Sequence, residues 1–200
     1  MRSVGKWLAA LAVAVVLSGC ASSGDEGPAS GETGGQLVVT SIYPVYEFAR
    51  AVVGDRAEVV NLVPPGAEPH DWEPSPGDIR RLNEAAVFIY SGAGMEHWVE
   101  KTLASLDNPD LIAVEASRGV DLLEAGGHGA GEKDAADHDH DHGQWDPHVW
   151  LDPKAAIQQV EAIRDAMVEA DPEHQAAYEA NAAQYITELE ALDEEFQRGL

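Results

Sequence analysis

The chain has 200 residues, 44% of them hydrophobic, which is enough for one large or two small domains and too much for a wholly disordered protein. Its formal charge of −24, from 12 basic and 36 acidic residues, argues against nucleic acid as a partner, because phosphate binding needs a basic surface. Such acidity concentrates cations near the surface or simply keeps the protein soluble. The single cysteine, Cys20, excludes an intramolecular disulfide and any cysteine-rich zinc site, so a bound metal would depend on His, Asp, Glu and water.

Residues 1–19 read as a signal peptide. Arg2 and Lys6 form a short basic region, and Leu8 to Leu17 an apolar run too short to span a bilayer as a mature helix. Leu17-Ser18-Gly19-Cys20 resembles the lipobox of bacterial lipoproteins, which implies that Cys20 is acylated and holds the protein at the outer face of the cell membrane. The other reading is an ordinary secretory signal with an incidental cysteine. Residues 20–36 are rich in Gly, Ser, Ala and Glu and read as a flexible tether. Folding is expected from Leu37.

Leu37-Val38-Val39-Thr40 fits a buried strand, and Pro44 opens a helix to Val53 with Val45, Phe48, Ala49 and Val52 on one face. Ala57 to Val63 is the second strand, stopped by Pro64-Pro65-Gly66. Ser75 is a good N-cap, with Pro76 at N1 and Asp78 at N3, for a helix to Ala85 that carries Ile79 and Leu82 inward. His70 therefore lies on a proline-bounded loop after a strand's carboxyl end, where open α/β sheets bind ligands. By itself it reads as an ordinary surface histidine or as a ligand. Val87 to Tyr90 is the third strand. Ser91-Gly92-Ala93-Gly94 lacks the spacing and the Lys-Ser/Thr of a phosphate loop. A helix is expected over Met95–Leu106, with His97 in it as a packing or surface residue, and Leu111 to Val114 is the fourth strand. Strands alternating with helices over short links imply an α/β fold, with a mainly parallel four-stranded sheet and helices on both faces. The lobe so defined spans residues 37–153.

Residues 126–143 carry Gly, Ala, Asp and His with no apolar period, which predicts a mobile loop. Its His128, His138, His140 and His142 can close on one ion, since each neutral ring offers a nitrogen donor. Ordering such a loop costs roughly 1–2 kcal/mol per fixed residue, so the tract suits fast, weak capture. His148 differs. Pro147 fixes the backbone before it, Val149, Trp150 and Leu151 can bury the segment, and Asp152 with Pro153 makes a helix start. Such preorganisation suits a high-affinity site, although a histidine satisfied inside the core would look the same.

Glu68-Pro69-His70-Asp71-Trp72-Glu73-Pro74-Ser75-Pro76 and Asp146-Pro147-His148-Val149-Trp150-Leu151-Asp152-Pro153, with a His-rich insert between them, resemble the metal-binding proteins of ABC-type zinc and manganese uptake systems. The resemblance runs from about Leu37 to the end of the chain and takes in the lipobox. It implies that His70 and His148 are metal ligands. It also implies that the fold is two α/β lobes joined by a long helix, and that the partners are a divalent ion and a membrane permease. Imidazole donors favour Zn2+ over the alternative, Mn2+.

Residues 154–200 read as helical. Lys154 to Glu169 places Ile157, Val160, Ile163 and Met167 on one face, and Asp171-Pro172 caps a second helix, with His174 exposed in its first turn. Tyr178, Ala182, Tyr185, Leu189, Leu192 and Phe196 then form an apolar row, and this helix resembles the interlobe helix of the family. A second lobe supplying further ligands would follow in that family. The chain is accordingly expected to be a truncated product with an incomplete tight site.

The expected function is that of a lipid-anchored, extracytoplasmic, monomeric solute-binding protein that hands zinc to an ABC-type permease. Loading needs neutral imidazoles, so affinity should fall as pH drops through about 6.5. The competing readings are a metal-dependent hydrolase and a surface adhesin or metal-buffering lipoprotein. Against the hydrolase, the sequence has no His-Glu-x-x-His helix, no Gly-x-Ser-x-Gly elbow and no obvious general base placed beside His148.

Overall fold

Alternation along the strands dictates the layers. In β1 (Leu37–Thr40) Val38 faces one core and Val39 the other, and in β3 (Val87–Tyr90) Val87 and Ile89 oppose Phe88 in the same way. Both strands are buried on both faces, as the centre of a parallel sheet requires. A computed structural model describes residues 36–125 and 144–199. The predicted signal peptide, most of the predicted tether, Cys20, and the histidines 128, 138, 140 and 142 lie outside the described residues.

The sheet is parallel throughout, in the order β2-β1-β3-β4, where β2 is Glu58–Asn61 and β4 is Ile112–Glu115. The chain reverses its direction of travel between β1 and β3, which puts a crevice at their carboxyl ends. On one face lie α1 (Tyr43–Val53), α4 (Pro153–Ala170) and α5 (Gln175–Gly199), whose Val45, Phe48, Val160, Ile163, Met167 and Tyr178 build the larger core. On the other face α2 (Pro76–Glu84) and the short α3 (Val99–Leu103) bring Leu82 and Val99 to the smaller core, which Trp98 and Phe88 fill. The expected α/β fold with helices on both faces and a long helix after it is the fold observed.

The helix starts follow their caps. Ser75 and Asp78 form a capping box at α2, and the Asp152 carboxylate accepts from the Lys154 N–H at 3.0 Å at the start of α4. α5 is tied to the lobe by Asn181, whose Nδ2 donates to the Val52 carbonyl at 3.0 Å.

Four expectations need correction. The helix expected over Met95–Leu106 shrinks to Val99–Leu103, because Gly92, Ala93 and Gly94 all take left-handed backbone angles and the chain curls around the Glu96 carboxylate. That buried carboxylate accepts from Ser41 Oγ at 2.5 Å, the Ser91 N–H at 2.8 Å and the Gly92 N–H at 3.0 Å. Asp171 does not cap the following turn with its side chain; the His174 ring and the Tyr178 hydroxyl engage it instead, at 2.7 and 2.8 Å. Leu192 and Phe196 do not continue the buried row, being 39% and 49% exposed. Leu151, expected to help bury its segment, is 71% exposed.

Candidate metal centre

Two loops at the carboxyl edge of the sheet carry the site. The first leaves β2 through Pro64, Pro65 and Pro69, whose fixed φ angles limit its freedom, and is closed at its far end by the Ser75 capping box. Trp72, two residues after His70, packs against both cores and meets Trp98 edge-on with centroids 5.2 Å apart. The second loop returns after β4, where Glu124 and Trp145 form an antiparallel bridge. Pro147 is buried, and Val149–Leu151 makes one tight turn into α4. Trp150, two residues after His148, packs on the larger core. Each candidate histidine thus sits two residues before a tryptophan that anchors its loop.

The two loops bring the rings together. The His70 and His148 centroids are 6.0 Å apart with an interplanar angle of 70°. For metal–nitrogen bonds of about 2.0–2.1 Å at a tetrahedral angle, two imidazoles on one ion have centroids about 5 Å apart. The observed separation is about 1 Å wider than that.

His148 is no core histidine: its side chain is 46% exposed. The carboxylate of Asp146 accepts from the His148 backbone N–H at 3.0 Å and lies 2.8 Å from its ring Nδ1. These contacts hold the Asp146 carboxyl below the usual carboxylate range, the backbone hydrogen bond contributing most and the ring bond next. Asp146 was not singled out from the sequence, yet Asp two residues before a turn is a recognisable side-chain-to-backbone signal.

Clefts flank the pair. One of about 290 Å³ lies beside His148, lined by Leu123, Asp146, Val149 and Leu151 among others. Another of about 360 Å³ borders the His70 loop between Tyr43, Pro64, Pro69 and Trp150. Both are walled largely by apolar side chains. Among the described residues no group of three or more His, Cys, Asp or Glu side chains is placed to hold a metal, so the described part of the centre is the imidazole pair. His97 stands apart from it, exposed and 4.0 Å from Glu73. His174 is engaged at the α4–α5 junction. Among the described residues no helix is long and apolar enough to cross a membrane.

Comparison with known proteins follows the same outline. The family described as ZnuA, zinc-uptake complex component A periplasmic, matches residues 38–200. The chain is 41% identical over 167 residues to the zinc-binding lipoprotein AdcA of Streptococcus pneumoniae, covering 82% of this chain and 32% of that protein. It is 36% identical over 191 residues to the high-affinity zinc uptake system protein ZnuA of Bacillus subtilis, covering 94% of this chain and 60% of that one. The chain thus spans from about a third to three fifths of these relatives' lengths. Among solved structures, the Zn(II)-bound ZnuA-like domain of Streptococcus pneumoniae AdcA superposes with a TM-score of 0.71 at 37% identity, over 83% of this chain and 56% of that one. The solute-binding protein FpvC of Pseudomonas aeruginosa in complex with Mn2+ superposes at 0.66 and 32%, over 79% and 53%.

Proposed function

The chain belongs to the zinc-uptake complex component A family, and from that premise we propose that it captures Zn2+ outside the cytoplasm for delivery to an ABC-type permease. The observation that carries this reading is the convergence of His70 and His148 from two separately anchored loops. Zinc is cargo here, and the two imidazoles supply two of the four positions of a tetrahedral ion. Their loops are stiffened by prolines, caps and anchored tryptophans, so little ordering cost falls on binding. An all-imidazole pair favours zinc over manganese, which prefers carboxylate oxygen. The relatives named for zinc binding and zinc uptake support the same choice.

Cys20, acylated at its lipobox, would keep the protein at the outer face of the cell membrane, and the acidic surface would enrich cations around it. His128, His138, His140 and His142 would add a weaker capture element between the two motif loops. The reading assigns no catalysis. Its direct test is elemental analysis of the purified protein, followed by zinc and manganese titrations. One zinc ion bound per chain, with manganese weaker, supports it; no metal above background, or manganese held more tightly than zinc, rejects it.

A further inference from the structure

We infer that Asp146 is a positioning residue that sets which nitrogen of His148 meets the cargo ion. A carboxylate offers hydrogen-bond acceptors only, so the ring nitrogen 2.8 Å from Asp146 Oδ1 must carry the proton. That nitrogen is Nδ1. The neutral ring is therefore the Nδ1–H tautomer, and its lone pair is on Nε2. The same Oδ1 accepts from the His148 backbone N–H at 3.0 Å, so one oxygen fixes both the turn and the ring. Trp150, 5.3 Å from the His148 ring at 61°, limits the ring from another side.

The consequence is that His148 waits in the form that binds through Nε2, with no tautomer exchange before capture. A carboxylate behind a ligating imidazole also makes the ring a better donor to a cation. Asp146 need not touch the ion to do either. The pairing is local, between residues two apart, so it survives whatever the rest of the donor set is.

This inference rests on the reading of His148 as a zinc ligand, and the experiment separates the two. In the zinc-free full chain, long-range proton–nitrogen NMR of ring-labelled histidine above the imidazole titration range reports the His148 tautomer. Zinc affinity is read in parallel by competition with a chromophoric chelator. The expected result is an Nδ1–H ring in the parent protein and in Asp146→Asn, whose side-chain oxygen can still accept. In Asp146→Ala the Nδ1–H preference is lost and zinc binds roughly 10–100-fold more weakly, with Asp146→Asn recovering most of that loss. The Asn variant, which keeps the turn, separates ring positioning from misfolding. An Nε2–H ring in the parent protein, or a tautomer indifferent to Asp146→Ala, overturns the inference. His148→Ala leaving zinc affinity unchanged overturns the ligand reading instead, whatever the tautomer.

Discussion

Ser75 and Asp78 hold each other at the end of the His70 loop: the Asp78 carboxylate accepts from the Ser75 N–H at 2.9 Å and from its hydroxyl at 2.6 Å. The Ser75 hydroxyl in turn accepts from the Asp78 N–H at 3.4 Å. Ser75→Ala should cost about 1 kcal/mol in urea unfolding, the usual worth of an N-cap, and should weaken zinc binding only through the looser loop. A variant as stable as the parent would show that Pro76 and the backbone bond to the Asp78 carboxylate start the helix without the hydroxyl.

Asp171 joins α4 to α5 through the His174 ring and the Tyr178 hydroxyl. Burial raises its carboxyl, but the bonds from Tyr178 and His174 outweigh burial and leave it below the usual carboxylate range. Folding therefore favours the ionised form. Its contribution is complete above the ordinary Asp value of about 4 and disappears as pH falls through the lowered folded value. Asp171→Ala should lower stability by about 1–3 kcal/mol at neutral pH, and the gap from the parent should narrow below about pH 4. Paired unfolding curves across this range test it.

Gly92 has a φ of 82°, and a Cβ there would meet the Glu115 side chain and lie 2.5 Å from Ser117 Oγ. Gly94 has a φ of 86° with open space around it. Gly92→Ala should therefore destabilise by about 2–4 kcal/mol, from strain and overlap together, and Gly94→Ala by about 1–2 kcal/mol, from strain alone. Equal losses would mean that Glu115 and Ser117 move aside freely.

Along α5 the apolar burial ends between Leu189, 9% exposed, and Leu192, 39% exposed. Leu189→Ala should cost about 2–3 kcal/mol, while Phe196→Ser should change stability by less than about 0.5 kcal/mol. Thermal unfolding of both variants tests the boundary.

What the sequence discloses and what it hides follow from how local the cause is. β1 and β3 were legible because their β-branched and aromatic runs are short, continuous and bounded by turn residues. α2 and α4 were legible because Ser75 and Asp152 signal their starts within four residues. Met95–Leu106 misled, because its helical pattern is overridden by Glu96 turning back to partners in the loops that follow β1 and β3. The Asp171 joint was hidden for the same reason: its carboxylate bonds His174 and Tyr178 instead of the backbone it would normally cap. The apolar row of α5 predicts a buried stripe but holds no information on where the lobe beneath it stops. His70 and His148 were singled out through their motifs; their approach is a property of the sheet, which places both loops at one edge.

The shared ion is tested most directly by titrating zinc into the parent chain, His70→Ala, His148→Ala and the double variant. A further chain lacking His128, His138, His140 and His142 removes the weak events. The strongest binding event should be lost in each single variant, with affinity falling at least about tenfold, and the double variant should be little worse than either. Removing the four loop histidines should lower the number of ions bound and leave the strongest event in place. Survival of that event in either single variant, or losses that add as two independent sites do, would contradict a centre built on His70 and His148.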